Sequence, residues 1–255
     1  MDKFEILKQI EGAMKESAKI MLNADRSPSM IDAKEGHANF VTIYDKKVQK
    51  DIEGRLLEIL PEASFVGEED DIHENSLPNG YVFIVDPIDG TTNFIKDLKC
   101  STISVGLLLD GKQYIGAIYN PYSDEMFTAI KGEGAWLNGK PIHVSDCSLK
   151  DGVVMFGTAP YYEEHRNRSM AMAKDMLVKC IDIRRSGAAT VDLTNVACGR
   201  AEMYFEMWLQ PWDHAAGSLI VTEAGGIVTG VDGEEIIFTG PCSIMATNQV
   251  VRKEL

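Results

Sequence analysis

The hydrophobic patterning of this chain predicts a mixed α/β or α+β architecture, and three observations carry that prediction. Helical periodicity opens the chain. Strand-like runs joined by Asp-Gly and Asn-Gly turns fill its middle, and strands alternate with helices through the second half. No linker, low-complexity run or internal repeat interrupts the 255 residues, enough to bury a full core.

Residues 4–22 place Phe4, Leu7, Ile10, Met14, Ala18, Met21 and Leu22 at helical spacing, and Asp25 to Ser29 ends that helix. The polar segment from Ile31 to Val41, which carries Lys34, reads as a loop or short hairpin. A second helix follows Thr42, with Val48, Ile52, Leu56, Ile59 and Leu60 on one face and Asp45 in its first turn. There Asp45 either complements the helix dipole or serves a site. Pro61 stops the helix, and Ser64-Phe65-Val66 is a short strand running into the acidic loop Gly67 to Asp71.

The apolar run Phe83-Ile84-Val85 ends in Asp86-Pro87-Ile88-Asp89-Gly90-Thr91-Thr92. It predicts a buried strand, a tight turn carrying two acids, and a helix opening on small hydroxylated residues. Two carboxylates on a rigid turn suit a hard cation, and a helix N-terminus beside them suits an anion. Ser101–Leu109, Tyr114–Tyr119 and Met126–Ile130 are strands, and Gly132–Lys140 is a hairpin turning at Asn138-Gly139, so the middle is a largely antiparallel sheet.

Further on, Val153–Phe156 is a strand and residues 163–179 a helix with Met170, Ala173 and Leu177 inward. Ile181–Ile183 is a strand, 190–199 a helix and Ala201–Met207 a strand. A helix from Trp212 to Ala224 ends at Gly225-Gly226, and strands near 227–231, 235–238 and 243–247 close the fold.

Apolar residues make up 45% of the chain and charged ones 25%, as in ordinary globular domains. The net charge of −14 speaks against nucleic acid or an anionic membrane as partner. Five scattered cysteines without C-x-x-C spacing read as reduced thiols rather than disulfides or a zinc site. The charged start is unlike a signal peptide and no apolar run reaches membrane-spanning length, so a soluble, cytoplasmic protein is expected.

Glu68, Asp86 and Asp89 each follow an apolar strand, and Asp213 sits in the first turn of a helix. Converging at ~4 Å, such acids would repel by roughly 4 kcal/mol per pair at an effective dielectric near 20. Divalent cations would cancel that charge, and an all-oxygen donor set selects Mg²⁺, Mn²⁺ or Ca²⁺ over zinc.

Asp86 to Phe94 resembles the signature of the inositol monophosphatase family, and Trp212-Asp213-His214-Ala215-Ala216-Gly217, continued by Val221 to Gly226, resembles its second signature. Val66-Gly67-Glu68-Glu69 and the stretch from Gly132 through Asn138-Gly139 to Ser145 are similar to lesser motifs of the same family, in the same order. The resemblance covers nearly the whole chain. It implies a layered αβαβα sandwich of the inositol monophosphatase and fructose-1,6-bisphosphatase type. A single unit is expected, with subdomains of about 1–148 carrying the metal motifs and 149–255 much of the substrate pocket.

It further implies a Mg²⁺-dependent, lithium-sensitive phosphomonoesterase, a cytoplasmic homodimer with two or three Mg²⁺ per site, Mn²⁺ as a substitute, and Ca²⁺ and Li⁺ as inhibitors. Glu68, Asp86, the Ile88 carbonyl and Thr91 would hold one metal. Asp86, Asp89 and Asp213 would hold a second, with Glu68 helping a third. Thr91 paired with Asp45 would activate the attacking water, one ion lowering its pKa and the other stabilising the leaving oxygen. Gly90 and Thr91 would offer N–H groups to the phosphate.

On the substrate side, Ala189 matches a position whose backbone N–H serves the alcohol. Glu206 matches a carboxylate that bonds inositol hydroxyls, or is an ordinary strand-end acid. Lys34 matches a loop lysine near the site. His214 stands where the family has an apolar residue, and reads otherwise as a helix-surface histidine. Arg184 and Arg185 suit a second phosphate, a partner subunit or salt bridges. Trp136, Trp208 and Trp212 read as packing anchors.

The expected substrate is inositol monophosphate. Fructose 1,6-bisphosphate, NADP(H) and 3′-phosphoadenosine 5′-phosphate are alternatives, and Thr91-Thr92-Asn93 favours the inositol branch over the nucleotide one. A catalytically inactive binding protein on the same fold is the alternative of a different class.

Overall fold

The computed structural model describes residues 1–25, 31–33, 40–70 and 77–255. At its centre runs strand β4 (Tyr81–Asp89), buried along nearly its whole length because both of its faces are covered. Phe83 and Val85 pack against the N-terminal helices α1 (Lys3–Leu22) and α2 (Ile43–Ile59). Val82 and Ile84, on the opposite face, meet Trp212 and Ala215 of α6 (Pro211–Glu223).

A seven-stranded sheet grows from this centre. β3 (Ser64–Gly67) pairs with β4 in parallel and β5 (Thr102–Leu109) pairs antiparallel. A meander continues through β6 (Lys112–Asn120), β7 (Glu125–Ile130), β8 (Gly134–Leu137) and β9 (Lys140–Pro141). Asp110-Gly111 and Asn138-Gly139 all carry positive φ, as tight hairpin turns require.

The second sheet has the order β11–β10–β12–β14–β13, from β10 (Val153–Phe156), β11 (Asp182–Arg184), β12 (Met203–Leu209), β13 (Ile227–Thr229) and β14 (Cys242–Thr247). Helices α5 (Ala189–Ala197) and α6 fill the space between the sheets. Leu193, Val196, Leu219 and Ile220 touch Ile118 and Phe127 on one side and Tyr204 and Ile244 on the other. A Cβ on Gly116 would come 2.8 Å from the Ala216 carbonyl oxygen, so glycine there lets α6 lie against the sheet. The outer face of the second sheet is covered by α4 (Glu163–Leu177) and α7 (Gln249–Glu254) through Ala173, Met176 and Val251. The layers run α–β–α–β–α, the expected sandwich.

Several expectations need correction. β4 does not stop at Asp86 but continues through Asp89, and the helix after it, α3 (Thr91–Ile95), is only 5 residues long. Phe4 and Leu22, expected inward, are 50% and 48% exposed at the ends of α1. Met170 and Leu177 are also exposed, because α4 buries the neighbouring stripe Ser169, Ala173 and Met176. β12 lies two residues later than its apolar run suggested, residues 235–238 form no strand, and α7 was not foreseen. The expected hairpin exists as β1 (Ile31–Ala33) paired with β2 (Phe40–Thr42). Residues 26–30, Lys34 and Asp71 lie outside the described residues.

Candidate active site

The two acids of β4 would face opposite sides of a regular strand, being three residues apart. They do not, because the pairing with β5 slips between them: Asp86 sits opposite Ser104 and Asp89 opposite Thr102. That extra residue is a bulge, and it turns both carboxylates into one cavity of about 920 Å³. Pro87 occupies the bulge, where no ladder N–H is needed. Gly90 follows in the left-handed region (φ 82°), and a Cβ there would meet the Cys100 carbonyl and Ala188 at 3.1 Å.

The other acids arrive on helix N-termini. Asp213 is at N3 of α6, where its Oδ2 accepts from the Gln210 N–H at 2.7 Å. Asp45 is at N3 of α2 and fully buried, its Oδ2 accepting from the Thr42 N–H at 2.7 Å and the Thr42 hydroxyl at 2.6 Å. Its Oδ1 accepts from the Thr91 hydroxyl at 3.2 Å, and the same hydroxyl lies 3.3 Å from the Ile88 carbonyl. The capping role and the site role of Asp45 coexist, one on each oxygen. Glu68 directly follows β3, its backbone N–H bonded to the Val85 carbonyl at 3.1 Å, so the parallel register carries it beside Asp86.

Asp86 and Asp89 are likewise each held through one oxygen. Asp86 Oδ1 accepts from the Ile88 N–H at 2.9 Å, and Asp89 Oδ2 accepts from the Thr190 N–H at 2.8 Å and from the Thr190 hydroxyl. Burial raises Asp86 well above the usual carboxylate range, and the charges of Glu68, Asp89 and Asp213 raise it further. Asp213 is raised by burial and then by Asp89 and Glu68. Asp89 rises to about 6 through burial, restrained by its bonds from Thr190. Burial also takes Asp45 to about 6 against the pull of Thr42.

Among the described residues, no three such side chains close on a common point at metal-ligand distance. The donor chemistry nevertheless fits a hard divalent cation. Glu68, Asp86, Asp89 and Asp213 all line the cavity, all are oxygen donors, and three carry the raised proton affinity of crowded, desolvated carboxylates.

Gly90, Thr91, Ala189 and Glu206 line the same cavity, and the N–H of Ala189 also supports Asp89. Glu206 lies within β12, not at its end. It accepts from the Ala159 N–H at 2.9 Å and the Tyr204 hydroxyl at 2.8 Å, which aims it across the cavity. Arg185 lines the cavity, whereas Arg184 is taken up by Asp182.

His214 is fully buried rather than on a helix surface, and does not line the cavity. It stacks on Phe238 at 5.5 Å and lies 3.6 Å from the Cys242 sulfur, and burial alone pulls its pKa down to about 3. Trp212 is the packing anchor expected, Trp208 packs against Tyr162 and His165, and both also line the cavity. Sequence reasoning missed Thr190, Asp192, Tyr161 and Tyr162. Only Asp192 offered a signal, an acid in the first turn of an otherwise apolar helix.

A model of the inositol monophosphatase family matches residues 2–255. The chain is 32% identical over 241 residues to Nus factor SuhB of Escherichia coli K12, covering 94% of this chain and 87% of that protein. It is 37% identical over 222 residues to inositol monophosphatase 2 of Solanum lycopersicum, covering 84% and 82%. Among solved structures, the extragenic suppressor protein SuhB of Bartonella henselae superposes with a TM-score of 0.89 at 33% identity, covering 98% of this chain and 96% of that one. Inositol monophosphate-bound SaIMPase-II superposes with 0.82 at 27% identity, covering 98% and 91%.

Proposed function

The chain belongs to the inositol monophosphatase family, and on that premise we propose that it is a Mg²⁺-dependent phosphomonoesterase acting on inositol monophosphate or a closely related polyol phosphate. The observation that carries this reading is the meeting, in one cavity, of Glu68, Asp86, Asp89 and Asp213 with the Thr91–Asp45 pair.

Glu68, Asp86, Asp89, Asp213 and the Ile88 carbonyl would hold the cations, with Thr91 contributing its hydroxyl. When bound, the cations supply Lewis-acid activation of water and charge neutralisation at the phosphoryl and leaving oxygens. The chain's own residues do the rest. Thr91 Oγ1 takes a proton from the attacking water as it hands its own to Asp45 Oδ1. A carboxylate displaced to about 6 is well matched to that task near neutral pH. The N–H groups of Gly90 and Thr91 meet the phosphoryl oxygens. Glu206, held by Ala159 and Tyr204, accepts hydrogen bonds from polyol hydroxyls, and the Ala189 N–H faces the alcohol.

Phosphate release from inositol 1-phosphate, fructose 1,6-bisphosphate, NADP and 3′-phosphoadenosine 5′-phosphate at equal concentrations tests the assignment. Inositol 1-phosphate should be fastest, and Li⁺ should suppress the reaction. A fast bisphosphatase with little activity on inositol 1-phosphate would refute the substrate.

A non-catalytic binding role is the second reading, favoured by the name Nus factor carried by several relatives. The complete acid set and the Thr91–Asp45 pair speak for turnover. Asp89→Asn should abolish it while the protein stays folded; turnover unchanged by that substitution would remove the metal assignment.

A further inference from the structure

We propose that Gln49 is a positioning residue for the metal-binding acid Glu68: together with Asp70 it clasps the turn that carries Glu68 onto α2, and so holds Glu68 at a fixed offset from Asp45 on the same helix. The inference rests on the phosphomonoesterase reading above, and adds to it the groups that keep one cation ligand in register with the proton acceptor.

Asp45 and Gln49 lie four residues apart on one face of α2, within a buried stripe that is otherwise Val48, Ile52 and Leu56. A buried amide is costly unless both of its ends are bonded. Gln49, only 6% exposed, meets that condition: its Oε1 accepts from the Glu69 N–H at 2.9 Å, and its Nε2 donates to Asp70 Oδ1 at 2.8 Å. The other Asp70 oxygen, Oδ2, accepts from the Gly67 N–H at 2.7 Å. The Glu68 N–H goes to the Val85 carbonyl of β4, and the Asp70 N–H closes the turn on the Gly67 carbonyl at 3.4 Å. Four successive N–H groups are thus paired, and the backbone that presents Glu68 is held between α2 and β4. A Cβ on Gly67 would come 2.4 Å from the Gln49 Cδ and Oε1, so glycine there lets the amide lie against the turn.

The clasp joins two halves of the site. Four residues of helix rise about 6 Å, so α2 is a short rigid spacer. At one end Asp45 meets the Thr91 hydroxyl; one turn on, Gln49 fixes the turn whose Glu68 side chain hydrogen-bonds with Asp86. The charges of Glu68 and Glu69 act on Asp45 across this gap. The position needs an amide, because one end must accept and the other donate. Gln49→Glu would still accept from the Glu69 N–H but would set two carboxylates against each other at Asp70. Asp70→Asn would set an amide N–H₂ against either Gln49 Nε2 or the Gly67 N–H. Made together, the two substitutions reverse the polarity of the clasp. The new carboxylate accepts from the Glu69 N–H and from the new amide, whose oxygen keeps the Gly67 N–H, and the net charge is that of the original pair.

The test measures Mn²⁺ affinity from the paramagnetic resonance signal of the free ion, kcat on inositol 1-phosphate, and urea unfolding without metal, in wild type, Gln49→Glu, Asp70→Asn and the double variant. Each single variant should weaken Mn²⁺ binding by about 10–100-fold, the range for groups that orient a metal ligand, and lower kcat with it. The double variant should recover most of both losses. If the exchanged charge alone mattered, Gln49→Glu would bind Mn²⁺ more tightly and Asp70→Asn more weakly, and that opposite pair of signs would overturn the proposal. Single variants that lose stability while Mn²⁺ affinity and kcat stay put would overturn it as well, as would a double variant no better than the singles. If Gln49→Glu does not fold, Asp70→Asn set against the double variant carries the same comparison. A wild type that binds Mn²⁺ yet releases no phosphate would overturn the phosphatase reading and leave the affinity pattern to decide the clasp; one that binds no Mn²⁺ would overturn both.

Discussion

Thr190→Val isolates the support beneath Asp89. The Thr190 hydroxyl donates to Asp89 Oδ2, and the Thr102 hydroxyl lies 2.5 Å from the same Thr190 oxygen, all of them buried. Valine keeps the shape, so no cavity opens, but one hydrogen bond to a carboxylate is lost, at ~1.5–3 kcal/mol. Thr102 is then left without its partner, which costs a further ~1–3 kcal/mol if nothing else reaches it. Because the two penalties overlap, a net loss of about 2–4 kcal/mol is expected in urea unfolding without metal. Asp89 would also lose one of the donors that orient it. Removing such a supporting contact typically weakens metal affinity or activity by about 10–100-fold, so the Mg²⁺ concentration for half-maximal phosphate release should rise by that order. A variant that loses stability while its Mg²⁺ dependence stays where it was would show that Thr190 merely packs, and would refute this account of Asp89.

Other predictions are independent of that one. Thr91→Ala and Asp45→Asn should each lower kcat by about 10²–10⁴ with little change in KM, and the double variant should lose little more than either single one, since the two act as a unit. Gly116→Ala should destabilise by about 1–3 kcal/mol in urea, because the new methyl meets the α6 backbone, which cannot yield as a flexible side chain would. The Tyr119 phenol, mostly buried and donating to Asp124 at 2.9 Å, has its pKa pushed up to about 12, first by burial and then by that bond. An unfolded tyrosine loses its proton near ~10, so the folded state holds more protons above that pH and stability falls between about pH 10 and 12. Tyr119→Phe should flatten this alkaline limb by about 1–2 kcal/mol, the wet end of the phenol screening the rest.

The layered architecture was legible because both sheets advertise themselves in period and turn chemistry, and β4 reads as an unbroken apolar run. The slip in pairing between Asp86 and Asp89 was not, since a bulge is set by what the neighbouring strand offers, and nothing in Asp-Pro-Ile-Asp names Ser104 and Thr102 as partners. The acids themselves stood out from their positions at strand ends and first turns. Their distant supports did not: Thr190 serves Asp89 and the Ala159 N–H serves Glu206 from far along the chain, and hydrogen bonds across such distances leave no local pattern. His214 was misjudged for a related reason. Burial of a helix N-terminus against Phe238 is decided by an element distant in the chain.

The most direct test of the central claim is a crystal structure in Mn²⁺, with diffraction recorded at the manganese absorption edge. The account predicts at least two anomalous peaks among the carboxylates of Glu68, Asp86, Asp89 and Asp213, and their loss or weakening in Asp89→Asn. An active enzyme with no peak at these carboxylates would contradict it.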